Sequence, residues 1–382
     1  MITMTSPPDP AVFSPAEQLR YARHLSLPEI GWAGQAKLRQ ASVLVIGAGG
    51  LGSPALLYLA AAGVGRLGIV DPDRVELSNL QRQVLYTTAA CGVAKVEEAR
   101  ARLLALNPHL QIDACPEPFG LDNAARLIAD YDWIIEGSDQ FTAKYLVNDA
   151  CVLASKPYVG ASIRAFAGML AVYAAPQGPC YRCLFPEPPD PATIPSCAQA
   201  GVLGTVPGLF GTLQAHEALK LILGIGEPLI GALLTVDLLT MRFQKLKLPR
   251  DPHCPVCGES PTIHSLAETS FVCAAAADLG AGDDSLPWLS VAASRRRPEL
   301  RWIDVRTPME FAAGHVPGAI HAPLDQLEEY AAQIGPDDQL LLYCQRGGRT
   351  VRAYHQLKAR LQGRLWLLRG GYEAWLSDRV DE

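Results

Sequence analysis

The sequence lacks the features that would direct it to a nucleic acid or a membrane. Charged residues make up only 19%, the net charge is −6, and the longest basic run is the triplet Arg295–Arg297. Because phosphate backbones are bound by concentrated basic surfaces, no nucleic-acid partner is expected. Met1–Pro10 does not resemble a signal peptide, and apolar runs such as Leu56–Val64 are shorter than the about 20 residues that span a bilayer. A soluble, cytoplasmic protein without membrane contacts is predicted.

The sequence does have enough apolar residues for more than one folded domain. It contains 382 residues, of which 49% are hydrophobic. We predict a first domain over residues 1–262, a linker rich in Ala, Gly and Asp over 263–284, and a second domain over 285–382. The Pro-rich stretch Phe185–Pro195 can form neither a helix nor a central strand, so it predicts a long crossover or a flap.

The first domain begins with a βαβ pattern. Ser42–Ile46 is an apolar strand, Ser53–Ala62 a helix ended by Gly63, and Arg66–Val70 a second, parallel strand. Further strands are predicted at Tyr131–Glu136, Pro157–Ala161 and Leu170–Tyr173, between helical stretches. This pattern indicates an α/β fold with a Rossmann-like, doubly wound sheet.

A glycine loop joins the first strand to its helix. Gly47-Ala48-Gly49-Gly50-Leu51-Gly52 fits G-x-G-x-x-G, which brings backbone N–H groups and a helix N-terminus to a phosphate. Asp71, after the next strand, can accept hydrogen bonds from ribose hydroxyls. These features alone fit a nicotinamide or flavin cofactor as well as ATP. The cations Arg82 and Lys95, with Asp139 as a ligand for Mg²⁺, favour a triphosphate over a dehydrogenase cofactor.

Residues Leu19–Pro261 resemble the MoeB/ThiF family, bacterial relatives of ubiquitin-activating enzymes. The resemblance rests on the glycine loop, the run Ser78–Gln83 (SNLQRQ) and the run Tyr145–Cys151 (YLVNDAC). It implies a nucleotide site formed by Gly50, Asp71, Ser78, Asn79, Arg82, Lys95 and Asp139. Gln140 departs from the Asn that the family usually has after this Asp.

The same resemblance implies that the protein forms a homodimer and that it adenylates another protein. Arg23 would reach the phosphates bound by a neighbouring subunit of a symmetric dimer. A C-terminal glycine carboxylate of a small ubiquitin-like sulfur-carrier protein, ending in Gly-Gly, would attack the α-phosphate of ATP. The resulting acyl-adenylate is open to attack by sulfur.

Ten cysteines, in a chain expected to be reduced, point to metal binding or catalysis. The pairs Cys180/Cys183 and Cys254/Cys257 form two C-x-x-C motifs. One such motif alone would also fit a redox dithiol, but two together favour a structural Zn²⁺, and the same positions bind zinc in the family. Cys197 is a lone cysteine by its pattern; the family resemblance implies a second nucleophile there, forming a thioester or a disulfide. Cys91, Cys115, Cys151 and Cys273 have no such context.

The second domain resembles rhodanese, a small α/β sulfurtransferase domain. The resemblance rests on Ile303–Arg306, Gly314–His321 and Cys344–Thr350. Cys344, followed by backbone N–H groups and aided by Arg346 and Arg349, is expected to carry a persulfide. Gln345 departs from the more frequent Arg. A phosphatase of the C-x5-R type would need Arg at position 350, where Thr350 stands.

Together these motifs predict an adenylyltransferase fused to a sulfurtransferase. ATP, Mg²⁺ and Zn²⁺ are the expected cofactors, and thiosulfate or a cysteine desulfurase the expected sulfur donor. The first alternative is a ubiquitin-activating type of enzyme that passes its carrier to other proteins through a thioester at Cys197. The second is a Rossmann dehydrogenase.

Overall fold

A computed structural model describes residues 13–187, 201–267 and 286–380, apart from positions 307, 325, 336–337, 346, 359 and 362–363. These residues form two compact units. Cys197, Cys273, Arg346, most of the Pro-rich stretch and most of the predicted linker lie outside the described residues. No helix within the described ranges has the length and apolar character needed to cross a membrane.

The first unit is built on an eight-stranded sheet with the order β3-β2-β1-β4-β5-β6-β7-β8. The strands are β1 Ser42–Ile46, β2 Arg66–Val70, β3 Gln111–Cys115, β4 Trp133–Glu136, β5 Tyr158–Arg164, β6 Ala167–Tyr173, β7 Ala232–Asp237 and β8 Arg242–Lys247. β1 to β5 pair in parallel, whereas β5 to β8 pair antiparallel. The α/β, Rossmann-like fold class is confirmed.

Helices cover both faces of this sheet. They are α1 Pro15–Arg20, α2 Ala22–Leu25, α3 Gly31–Gln40, α4 Gly52–Ala62, α5 Lys95–Leu106, α6 Leu121–Ala129, α7 Phe141–Leu153, α8 Tyr181–Leu184 and α9 Thr205–Leu223. Along β1, Val43 and Val45 pack into the core with α4, α5 and α9, while Leu44 and Ile46 pack into the core with α6 and α7. Successive strand residues face opposite sides, so a strand covered on both faces is apolar throughout.

Two predicted strands form a hairpin instead of lying between helices. β5 and β6 pair from Tyr158↔Tyr173 to Arg164↔Ala167, which leaves Ala165-Phe166 as a two-residue turn. Ala165 has φ 50°, a backbone conformation that short hairpin turns require. The expectation of a helix between these strands is therefore wrong, because the turn carries no Gly, Asn or Asp to mark it.

The second unit has a parallel five-stranded sheet with the order β11-β10-β12-β13-β9. Its strands are β9 Trp288–Leu289, β10 Leu300–Asp304, β11 Ile320–His321, β12 Gln339–Tyr343 and β13 Leu365–Leu368. Its helices are α10 Val291–Arg295, α11 Pro308–Ala313, α12 Leu327–Ala331, α13 Gly348–Leu357 and α14 Gly371–Val380. β12 places Leu340 and Leu342 in one core and Leu341 and Tyr343 in the other, so this sheet is also covered on both faces.

Candidate functional site

The glycine loop follows β1 at the carboxyl edge of the first sheet, where ligands of open α/β sheets bind. Gly47 has φ +90°, a region that favours glycine. A Cβ on Gly52 would lie 1.9 Å from the carbonyl oxygen of Gly47, so only glycine lets the helix start so close to the loop. The sequence motif therefore corresponds to a tight turn whose backbone is accessible to a ligand.

Asp71 lies behind this loop and braces it. Its Oδ2 accepts from the N–H of Ala48 at 2.8 Å, and its Oδ1 accepts from the N–H of Asp73 at 2.9 Å. Burial raises the pKa of Asp71, an effect opposed by the ammonium group of Lys95 at 3.9 Å. Both carboxylate oxygens thus already accept hydrogen bonds from backbone N–H groups. The predicted contact with ribose would be made in addition to these two hydrogen bonds.

The two predicted cations lie in different settings. Lys95 starts α5, is only 4% exposed, and donates to Asp73 Oδ2 at 2.8 Å. Arg82 is half-buried and donates to the carbonyl of Ser78 at 3.1 Å. Its Cγ lies 3.6 Å from the point where a Cβ on Gly50 would stand. Arg82 therefore borders the glycine loop directly.

Asp139 is exposed and follows β4 in a turn that touches the glycine loop. A Cβ on Gly47 would lie 2.9 Å from the carbonyl carbon of Gly137, which shows how closely the two turns approach. Ser78 and Asn79 are joined by a contact of 3.5 Å between Asn79 Nδ2 and Ser78 Oγ. The elements carrying the predicted nucleotide residues thus converge on one edge of the sheet.

No described contact joins Arg23 to the other predicted residues of this site. It is exposed on α2, and its side chain makes no hydrogen bond or ion pair with another described residue. A role toward a neighbouring subunit stays a prediction.

Two residues under the glycine loop were missed by sequence reasoning. The Tyr86 hydroxyl donates to the carbonyl of Ala48 at 2.8 Å. Gln83 is buried with its Nε2 3.5 Å from the point where a Cβ on Gly49 would stand, and its Oε1 has no partner among the described residues. Gln83 is the last residue of the motif SNLQRQ, so the motif could have identified it as a site residue. Nothing in the sequence pattern marks Tyr86.

The four C-x-x-C cysteines form one cluster. Their sulfurs all lie within 4.8 Å of one another, with 3.4 Å between Cys180 and Cys254 and 3.4 Å between Cys183 and Cys257. The hydrogen bond with Cys180 lowers the pKa of the Cys183 thiol. Four thiols this close can hold a metal ion.

Arg182, inside the first C-x-x-C motif, attaches this cluster to α7. Its Nε and Nη2 donate to the two oxygens of Asp149, each at 2.8 Å, and both side chains are buried. The N–H of Tyr181 also donates to Asn148 Oδ1 at 2.7 Å. Asn148 and Asp149 belong to the run YLVNDAC, so this motif joins the cysteine cluster to helix α7.

Cys344 directly follows β12 at the carboxyl edge of the second sheet. It is 2% exposed, and the N–H of Gly347 donates to its Sγ at 3.1 Å. Helix α13 begins at Gly348, so the sulfur faces a turn and a helix N-terminus, both favourable to an anion. Thr350, where a C-x5-R phosphatase has Arg, lies fully buried.

Arg349 is turned toward a carboxylate rather than directly toward the sulfur. Its two terminal nitrogens donate to Glu310 at 2.7 and 2.6 Å, which raises the pKa of Arg349 above its usual value. Gln345, which stands where the family more often has Arg, bridges two charged side chains. Its Oε1 accepts from Arg306 Nη1 at 3.1 Å, and its Nε2 donates to Glu373 Oε1 at 3.2 Å. In this arrangement Arg349 can stabilise a persulfide anion on Cys344 only through its charge.

Comparison with known proteins agrees with this geometry. The model of the ThiF family matches residues 21–256, and that of the rhodanese-like domain matches residues 289–378. The chain is 51% identical to the sulfur carrier protein adenylyltransferase of Thermus thermophilus, over 66% of this chain and 96% of that protein. It is 42% identical to the probable adenylyltransferase/sulfurtransferase MoeZ of Mycobacterium tuberculosis, over 96% of this chain and 94% of that protein.

Two further similarities extend the comparison. The adenylyltransferase and sulfurtransferase MOCS3 of Drosophila virilis is 38% identical over 95% of this chain and 84% of that protein. A crystal structure of E. coli MccB with MccA-N7isoASN has the same fold as the first unit, with a TM-score of 0.57 and 23% identity over 63% of this chain and 74% of that chain. The chain belongs to the ThiF family and carries a rhodanese-like domain after its ThiF region.

Proposed function

We propose that this enzyme uses ATP to adenylate the C-terminal glycine of a small ubiquitin-like sulfur-carrier protein and then converts that carboxylate to a thiocarboxylate. The observation that carries the proposal is the presence of two complementary sites in one chain. One is a glycine loop bordered by Arg82, and the other is Cys344 in a loop that donates an N–H to its sulfur. The relatives named adenylyltransferase and sulfurtransferase support it. We place the domains at 1–262 and 285–382, with a linker at 263–284.

In the first step a carboxylate oxygen of the carrier attacks the α-phosphorus of ATP. The bond from this phosphorus to the bridging oxygen breaks, and pyrophosphate leaves with the electron pair. Backbone N–H groups near Gly50, together with Arg82 and Lys95, would stabilise the phosphate charge, since such preorganised donors give the largest catalytic effects. Asp71, Ser78 and Asn79 would hold the rest of the nucleotide, and Arg23 would serve the site of a second subunit in a homodimer.

Asp139 fits a Mg²⁺ ion that arrives with ATP. It is an exposed carboxylate in a turn against the glycine loop, and carboxylates together with phosphates are the usual ligands of Mg²⁺. When bound, the ion would neutralise phosphate charge.

In the second step the terminal sulfur of a persulfide on Cys344 attacks the carbonyl carbon of the acyl-adenylate, the C–O bond to the phosphate breaks, and AMP leaves, which gives an acyl disulfide between the carrier and Cys344. A second thiol then attacks the Cys344 sulfur, the S–S bond breaks, and the thiocarboxylate leaves; the disulfide that remains on the enzyme is reduced by a cellular thiol. The turn at Gly347 and the start of α13 would stabilise the persulfide anion. Cys197, outside the described residues, would act as a second nucleophile through a thioester or a disulfide. Thiosulfate or a cysteine desulfurase would load Cys344, and the free thiols required fit a reducing cytoplasm.

The proposal is tested by the intact mass of a carrier protein ending in Gly-Gly after incubation with the enzyme, ATP and thiosulfate. The expected product is heavier than the carrier by the difference between sulfur and oxygen. A carrier attached covalently to the enzyme or to other proteins, with no thiocarboxylate, would instead support the ubiquitin-activating alternative. An unmodified carrier, together with turnover of a nicotinamide cofactor, would support the dehydrogenase.

We further propose that Cys180, Cys183, Cys254 and Cys257 hold one structural Zn²⁺. A tetrahedron with Zn–S bonds of about 2.3 Å has sulfurs about 3.8 Å apart, and the cluster has separations of 3.4 and 3.9 Å. Four sulfurs leave no open position, so this ion would act in folding rather than catalysis.

Metal analysis of the pure protein should therefore find one zinc per chain, and a chelator should lower its melting temperature. Cys254→Ser should lose the metal. The matched control Cys91→Ser, an exposed cysteine outside the cluster, should keep it. A metal-free protein that melts at the same temperature with and without chelator would rule out the zinc site.

A further inference from the structure

A buried ion pair lies directly behind the turn that carries Asp139. Glu136 is the last residue of β4 and is 2% exposed; Lys144, in the first turns of α7, is 7% exposed. Lys144 Nζ donates to Glu136 Oε2 at 2.5 Å and to the carbonyl oxygen of Ala161 in β5 at 2.7 Å. The pair thus ties two strands and one helix together at the carboxyl edge of the sheet.

The other oxygen of Glu136 holds the turn itself. Glu136 Oε1 accepts from the backbone N–H of Ser138 at 2.8 Å and from its hydroxyl at 2.6 Å. The main-chain carbonyl of Glu136 accepts from Gln214 Nε2 at 2.6 Å. The residue immediately before Asp139 is therefore fixed to the sheet through its backbone and its side chain.

This turn is also packed against the glycine loop. The N–H of Gly137 donates to the carbonyl of Ile46 at 2.8 Å, and a Cβ on Gly47 would come within 2.9 Å of the Gly137 carbonyl. A change in the Ser138 contacts therefore changes the distance between Asp139 and the loop that receives the phosphates.

Burying two charges is seldom the most stable way to fill such a space, since apolar side chains of similar volume often do as well. What the pair adds is a defined set of hydrogen bonds. We propose that Glu136 and Lys144 are positioning residues that hold Asp139 where Mg²⁺ and the ATP phosphates can both reach it. This inference rests on the proposed role of Asp139, and neither side chain takes part in the chemistry.

The test is a calorimetric titration of ATP into the enzyme at a series of MgCl₂ concentrations. Lys144→Met keeps the length of the side chain but removes its donors. It should raise the Mg²⁺ concentration for half-maximal ATP binding about 10-fold, because small misplacements of a ligand are costly. In pyrophosphate exchange, the loss should be largest at low Mg²⁺ and should shrink at saturating Mg²⁺. Lys144→Arg, which keeps a cationic donor but changes its shape, should shift the Mg²⁺ dependence less than Lys144→Met does.

Lys156→Met is the matched control. Lys156 donates to the carbonyls of Ala129 and Tyr131 at the opposite edge of the same sheet. Its loss should affect stability but leave the Mg²⁺ dependence unchanged, as any merely structural effect would. A folded Lys144→Met enzyme with the wild-type Mg²⁺ dependence would overturn the inference, as would an equal shift in Lys156→Met.

If Lys144→Met does not fold, Ser138→Ala decides the question. This change removes only the hydroxyl contact with Glu136 and should shift the Mg²⁺ dependence about 3-fold in the same direction; no shift would overturn the inference. ATP binding needs no carrier protein. An enzyme that binds MgATP as expected but never exchanges pyrophosphate would therefore contradict the proposed function and not the positioning role.

Discussion

Asp139→Ala should reduce carrier-dependent ATP–pyrophosphate exchange by at least about 100-fold, the loss typical of a key electrostatic group. Asp139 is exposed at the end of β4, and its turn touches the glycine loop. Removing the carboxylate would remove a ligand of the Mg²⁺ ion that neutralises the phosphates, so less of their charge would be compensated while pyrophosphate leaves. Since its side chain is exposed, the substitution should leave the fold intact.

The control for this prediction is Asp122→Ala, another exposed aspartate, in the first turn of α6. It should keep wild-type exchange, because no hydrogen bond or ion pair among the described residues joins Asp122 to the glycine loop or to the turn that carries Asp139. Exchange near the wild-type rate in Asp139→Ala, measured by incorporation of labelled pyrophosphate into ATP, would refute the proposed role of Asp139.

Cys344→Ala should abolish sulfur transfer from thiosulfate or a persulfide donor while leaving pyrophosphate exchange intact. Adenylation uses no thiol, and the persulfide depends on the loop around Cys344, where Gly347 donates to the sulfur. The measurements are exchange, the thiocarboxylate yield by intact mass, and persulfide formation on the enzyme. Free sulfide should be left out, because it can attack the adenylate directly and bypass the cysteine.

Two other cysteine variants complete this experiment. Cys197→Ala should retain exchange and persulfide formation on Cys344, but its thiocarboxylate yield should fall. Cys115→Ala is the control: this thiol lies in the first unit, burial raises its pKa, and all three activities should survive its loss. Loss of exchange in a folded Cys344→Ala enzyme would mean that the two activities are not separable.

Local patterns in the sequence were sufficient to predict the elements that surround the proposed nucleotide site and the cysteine cluster. Strands β1 and β2 begin and end at the predicted residues, because continuous apolar runs between turn signals mark strands buried on both faces. The glycine loop was predictable since only glycine tolerates the φ of Gly47 and the close approach at Gly52. The cysteine cluster was predicted across 74 residues from its two C-x-x-C motifs, whose four thiols suit one metal ion, and from the family resemblance.

Tertiary structure alone decided the contacts made by side chains that are distant in sequence. Asp71 was assigned to ribose from its position, but its two oxygens hold Ala48 and Asp73. Arg349 finds Glu310 across 39 residues, and this pairing has no counterpart in local periodicity. Strands β6, β7 and β8 extend the sheet in antiparallel pairs, and this arrangement likewise depends on where the chain reverses its direction in the folded protein. Local sequence determines which backbone conformations are allowed, whereas the partner of a buried charge is set by the packing of elements that meet only in the folded protein.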